Sequence, residues 1–410
     1  MQLSPFLQLA LGIAIIIVAA KAAGYLSIRL GQPSVLGELL VGILLGPSVI
    51  DLAHLSFFSS ETLAETIHEL GELGVLLLMF IAGLELHLED LTRNTKASAF
   101  AGVLGVIVPV GMGIGVVSFF DFDINQALFM GLTLGATSVS ISAQTLMELK
   151  VLRSRVGLGL LGAAVFDDVL VILLLSGFLA VVSGGGSLLG LLFILLRMVL
   201  FLALSVAFGI YVLPGLARLV SRLPISQGVL TLALAVMLVY GVAAEVFGGM
   251  AAITGAFLAG LMFARSREKE RIEHGVSALA YGLFVPIFFV NIGLSVNVRS
   301  LHLDALWLTL AIIVVAVISK LVGSGIGAKL GGFSWLESVQ LGAGMISRGE
   351  VGLIVANVGI AEGLVNESEF SAIVGMVLVT TIITPPILRA LFRQKEKSEP
   401  KISPPRPKPA

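Results

Sequence analysis

A chain of 410 residues that is 57% hydrophobic and only 12% charged, with a mean hydropathy of +1.06, cannot fold as a water-soluble globule and reads as a polytopic all-α membrane protein. Zero cysteines exclude disulfides, thiol catalysis and iron–sulfur chemistry, and five scattered histidines form no metal-ligand spacing, so no cofactor is expected. The net charge of −1 says little as a sum, because what matters in a membrane protein is where Lys and Arg lie along the chain.

The opening MQLSPF has no basic segment, and the apolar run from Leu7 to Ile28 is long enough to span, so it reads as a retained helix rather than a cleaved signal. Hydropathy set against turn and charge breaks predicts thirteen spans, helices 1 to 13, centred near residues 18, 43, 77, 108, 136, 168, 200, 235, 257, 285, 316, 349 and 380. Every second connection is basic: Arg29; Arg93 and Lys96; Lys150, Arg153 and Arg155; Arg218 and Arg222; Arg265, Arg267, Lys269 and Arg271; Lys329; and the tail from Arg389. The alternate connections hold no Lys or Arg apart from Arg299. The expected topology is therefore multi-pass in the cell's inner (plasma) membrane, amino terminus outside and carboxyl terminus cytoplasmic. With this odd count, helices 1 to 6 and 8 to 13 would form an inverted-topology repeat joined by helix 7, a common plan of secondary transporters.

Charges and polar runs at membrane depth mark the functional candidates. Lys21 in helix 1 can snorkel, and Glu38 in helix 2 and Arg197 in helix 7 lie near helix ends, where snorkelling or a local bond accounts for them. Helix 5 carries GATSVSIS (residues 135–142) and helix 12 carries GAGMISRGEVG (residues 342–352), both read as helix breaks. Unwound backbone at that depth is tolerated only where it lines a cavity, and it offers peptide dipoles to an ion. The alternative for GATSVSIS is Ser and Thr bonded back to the preceding turn. Helix 6 places Asp167 and Asp168 near the bilayer midplane, where a carboxylate is costly. Neighbours on a helix point roughly 100° apart, so the two carboxyls face different partners. Helix 11 adds the lone Lys320, which needs a nearby carboxylate, and Arg348 with Glu350 flanks the break in helix 12, able to satisfy helix ends as well as each other. Past helix 13 the tail at 393–410 is basic and proline-rich, hence expected to be disordered.

Together, FDD in helix 6, ATSVSI in helix 5, the lysine of VISKLVGSGIG in helix 11 and ISRGEVGLI in helix 12 resemble the second monovalent cation:proton antiporter family. GQPSVLGELLVGILLGP and GELGVLLLMFIAGLELHLEDL are similar to that family as well. The resemblance implies the NhaA-type fold with two crossing broken helices. It divides the chain into a dimerisation domain (1–90 with 225–298, helices 1–3 and 8–10) and a transport core (97–182 with 304–392, helices 4–6 and 11–13), with linker helix 7 at 188–213. It implies a homodimer in the lipid bilayer. Residue by residue, it makes Asp168 the carboxylate for cation and proton, adds to that binding set Asp167, the partner of Lys320, and Thr137 and Ser138 of the crossing, and makes Lys320 and the pair Arg348 and Glu350 its support. Ser138 stands where some members carry aspartate; Asp167, where electroneutral relatives carry asparagine, resembles the electrogenic members. The nucleotide-binding domain of the potassium-efflux members has no counterpart in the sequence.

The expected activity is therefore not enzymatic: it is secondary exchange of protons for Na⁺ or Li⁺, with K⁺ a third candidate, by alternating access and with net charge movement, in the service of pH homeostasis. No nucleic-acid partner is expected. The competing reading is a gated potassium-efflux channel or the membrane subunit of a larger regulated efflux system. An intramembrane aspartyl protease would need its two Asp on separate helices, and no GxGD sequence is present.

Overall fold

The computed structural model describes residues 4–52, 63–86, 94–120, 122–182, 188–294 and 306–398, and among these every regular element is helical. Helix 1 is Pro5–Arg29, helix 2 Ser34–Leu45, helix 3 Leu63–Leu84 and helix 4 Thr95–Val117. Helix 5 comes in two pieces, Ile124–Gly135 and Val139–Glu148. Helix 6 is Arg155–Val182 and helix 7 Leu188–Tyr211, followed by the short Leu213–Ser221. Helix 8 is Gly228–Ala243, helix 9 Ala252–Phe263, and helix 10 runs Lys269–Leu294 through a π-turn at Ala280–Phe284. Helix 11 is Leu306–Leu330, helix 12 is again in two pieces, Trp335–Gly344 and Glu350–Ala361, and helix 13 is Glu367–Ser398. Ten of these helices are long and apolar enough to cross a membrane; helices 2 and 9 are shorter apolar helices. With the two pieces of helix 12 they make up the thirteen predicted spans.

Local sequence sets the helix starts. Both broken helices open with a capping box, Asp123 with Gln126 before helix 5 and Ser334 with Glu337 before helix 12. Each cap holds backbone amides that have no partner in the first turn, worth about 1 kcal/mol. The two boxes occupy matching places, because each broken helix is the second of a three-helix group. Helix 13 continues to Ser398 and takes in the first six residues of the expected tail, since RQKEKS is made mostly of good helix formers and the next proline after Pro386 comes at 400. Arg93, the connection at 183–187, Arg299 and the tail from 399 lie outside the described residues.

Helices 4–6 pack with 11–13, and helices 1–3 with 8–10. Helices 4 and 11 lie backbone to backbone: a Cβ on Gly323 would lie 2.5 Å from Leu104 O and one on Gly327 would lie 2.6 Å from Ala101 Cα. In a bilayer such contact supplies dispersion attraction where the hydrophobic effect cannot. Over their most apolar windows helix 5 is 78% buried and helix 7 only 17%, so helix 5 runs through the interior and helix 7 along its edge.

Candidate functional site

Helix 5 opens at Ala136, Thr137 and Ser138, where Ala136 (ψ 146°) and Ser138 (ψ 113°) are extended. Helix 12 opens at residues 345–349. The two breaks satisfy each other: Ser138 N donates to Ser347 O at 2.9 Å, and Ser347 Oγ donates to Ser138 O at 2.6 Å. One turn on, Ser142 Oγ donates to Gly344 O at 2.5 Å. Gly349 fits only because it lacks a side chain, since a Cβ there would sit 2.7 Å from Ser138 Oγ. Ser142 thus bonds across to the other break, not back to its own preceding turn as the alternative reading of GATSVSIS had it, and Ser138 joins the crossing through its backbone while its hydroxyl meets that of Ser140.

Arg348 is fully buried, and its guanidinium collects carbonyls. Nη1 donates to Met345 O (3.1 Å) and Ile346 O (2.6 Å), and Nη2 to Leu134 O (2.7 Å) and Ala316 O (3.4 Å). Leu134 and Met345 lie where the first pieces of helices 5 and 12 end, so one fixed cation meets the negative ends of both. Thr381 Oγ1 donates to Arg348 O, tying the break to helix 13. Glu350 heads the second piece of helix 12, but its side chain lies outside the described residues.

Asp167 and Lys320 meet, Nζ donating to Oδ1 at 2.6 Å with both side chains at or below 1% exposure. Attraction between buried charges is strong, yet desolvating them costs about as much, so the pair fixes which helices meet more than it adds net stability. Thr137 is a close neighbour of Asp167, although neither Thr137 Oγ1 nor Asp167 Oδ2 has a partner in good hydrogen-bond geometry.

Asp168 points elsewhere. It is half-buried in a small cavity between helices 3, 5, 6 and 9, lined by Met79, Val139, Ile253, Thr254 and Phe257 among others, and its Oδ2 accepts from Thr254 Oγ1 at 3.3 Å. Thr137 and Ser138 do not line that cavity, and Ser138 Oγ sits 3.0 Å from Ser140 Oγ. The structure therefore divides the sequence candidates into a buried ion pair beside the crossing and a second carboxyl facing a cleft. Sequence reasoning placed Ser142 and Ser347 in the two breaks without a partner for either, and passed over Thr254 and Thr381. Only the rarity of polar residues in these spans could have flagged them. Glu38 and Arg197 are held by local bonds, Glu38 to Lys21 at 4.0 Å and Arg197 to Val246 O and Phe247 O at 2.9 and 3.0 Å.

A helical bundle in which two broken spans cross beside intramembrane carboxylates is the architecture of an ion-coupled secondary transporter. A family model described as "Sodium/hydrogen exchanger, transmembrane" matches residues 14–394, and the chain belongs to that family. It is 41% identical to the Na(+)/H(+)-K(+) antiporter GerN of Bacillus cereus, over 94% of this chain and 97% of that protein. It is 36% identical to a Na(+)/H(+) antiporter of Enterococcus hirae (92% and 96% covered) and 34% identical to the high-affinity Na(+)/H(+) antiporter NhaS3 of a Synechocystis strain (95% and 91%). The fold matches that of the sodium proton antiporter MjNhaP1 of Methanocaldococcus jannaschii with a TM-score of 0.67 over 95% of this chain and 98% of that one, at 16% identity. The chain is thus a multi-pass monovalent cation/proton antiporter rather than an enzyme.

Proposed function

We propose that exchange occurs at Asp168, which holds either a proton or one Na⁺, Li⁺ or K⁺. The observation that carries this reading is the contrast between the two adjacent carboxyls: Asp167 is sealed against Lys320, while Asp168 is half-buried in a cleft between the two groups of helices. A carboxyl already paired with a fixed ammonium has little left to offer a cation. Occupancy of Asp168 by proton or cation neutralises it, which lowers the barrier to carrying it through apolar surroundings, whereas the empty charged site is penalised. Exclusive occupancy then yields exchange.

In this reading the group of helices 4–6 and 11–13 is the transport core, and helices 1–3 and 8–10 form a dimerisation domain against which it moves, with helix 7 as the link. The reading extends to a homodimer in the plasma membrane, the amino terminus outside, and to membership in the second monovalent cation:proton antiporter family. Arg348 holds the crossing together, with Glu350 as the other member of the supporting pair, and Thr137 and Ser138 form part of the crossing, Ser138 through its backbone. The test is cation-driven collapse of a pH gradient in proteoliposomes, with Na⁺, Li⁺ and K⁺ compared. Asp168→Asn abolishes exchange in a protein that still folds, because the amide cannot alternate between proton and cation. Substantial cation-driven proton flux in that variant would refute the assignment.

A further inference from the structure

Thr254 occupies the first turn of helix 9, its amide donating to Ala251 O at 3.0 Å. From there its hydroxyl reaches Asp168 Oδ2 at 3.3 Å, and at 4% exposure it has little contact with bulk solvent. Helix 9 packs closely on helix 3, a Cβ on Gly260 lying 2.9 Å from Phe80 C, and so belongs with helices 1–3 and 8–10; Asp168 belongs to the opposite group. The bond therefore crosses the boundary between the two groups at the carboxyl read as the exchange site. The remaining cavity lining from helices 3, 5 and 9 is apolar: Met79, Val139, Ile253 and Phe257. Asp167 is the neighbour of Asp168 on helix 6, and Lys320 on helix 11 feels the Asp168 charge.

Resting on the reading of Asp168 above, we propose that Thr254 is a positioning residue for exchange: borne by the opposite helix group, it holds the ionised Asp168 carboxylate in this conformation and makes the proton a weaker competitor for it. A hydroxyl donated to a carboxylate favours its charged form over its protonated form. The positive end of the helix 9 dipole acts in the same direction. Because the donor and the carboxylate sit on different helix groups, the help is specific to one access state and ends when the groups move apart. Cation affinity is thereby made to differ between the two sides of the cycle.

The experiment compares Thr254→Val, which keeps shape and loses the hydroxyl, with Thr254→Ser, which keeps the hydroxyl, in proteoliposomes driven by Na⁺ or Li⁺ across a pH series. A hydrogen bond to a charged group is worth roughly one factor of ten in affinity. Thr254→Val is expected to raise the apparent cation KM about tenfold near neutral pH and to move the KM-against-pH curve toward alkaline pH, with the rate at saturating cation changed by less than about twofold. Thr254→Ser retains the parent KM and pH curve. Should Thr254→Val fail to fold, Thr254→Ala is expected to show the same KM and pH changes. An unchanged KM and pH curve in the hydroxyl-free variant, or a serine variant that behaves like valine, overturns the proposal. Asp168→Asn run alongside separates the two claims: if it is inactive while Thr254→Val is indistinguishable from the parent, only the role of Thr254 is lost; if it still exchanges, the reading of Asp168 is lost.

Discussion

Removing Lys320 alone leaves a buried carboxylate without its counter-charge, and removing Asp167 alone leaves a buried ammonium, the costlier half of breaking an ion pair. Each single change, Lys320→Gln or Asp167→Asn, is expected to destabilise the protein by about 3 to 5 kcal/mol, and the double variant by less than either. Thermal unfolding in detergent measures this as a double-mutant cycle, and additive effects would mean that the two side chains do not interact. The pairing of these residues was legible in the sequence because an ammonium at membrane depth needs a carboxylate nearby. Thr254 was not legible, since a threonine in a helix ordinarily bonds back to its own preceding turn, as Thr145 does to Ile141 O. The carbonyls around Arg348 were equally out of reach, because Leu134 O comes from 214 residues upstream.

At the scale of helices, the two breaks were readable from GATS and MISRG, but their crossing was not. It rests on bonds such as Ser347 Oγ to Ser138 O, between residues 209 apart, which no local pattern encodes. The contact has no room to spare. Gly349→Ala places a methyl 2.7 Å from Ser138 Oγ and 2.8 Å from its Cβ, so the two breaks must separate. A loss of about 1 to 3 kcal/mol in stability is expected, together with a fall in exchange rate. Adding Ser138→Gly removes the obstructing atoms and should recover most of the lost stability in the same thermal assay. If Gly349→Ala is as stable and active as the parent, the crossing is looser than described here.

For the molecule as a whole, hydropathy and the alternation of basic residues gave the thirteen spans, because a bilayer imposes span length and charge placement directly on sequence. The grouping of helices 4–6 with 11–13 came from the family resemblance and then from packing, since glycine seams such as Gly323 against Leu104 pair helices far apart in sequence. If Asp167, Asp168 and Lys320 all change partners during the cycle, more than one proton can return per cation, and net charge then crosses the membrane. A membrane potential supplies about 2.3 kcal/mol per elementary charge per 100 mV. Clamping the voltage across proteoliposomes with valinomycin and K⁺, with Na⁺ or Li⁺ as test ion, is therefore expected to change the exchange rate. On the proposed competition of proton and cation for Asp168, the apparent cation affinity should also improve as pH rises. Insensitivity to voltage at every pH would show the exchange to be electroneutral.

The ion pair between Asp167 and Lys320 also constrains how the protein is made. The two residues are 153 positions apart, so at translation rates of about 5 to 20 residues per second the aspartate emerges on the order of ten to thirty seconds before its partner exists. During that interval helix 6 presents two carboxyls at membrane depth and the break in helix 5 has no Ser347 to meet it. Until helices 11 and 12 are made, neither the Asp167 carboxyl nor that break has the partner it meets in the finished molecule.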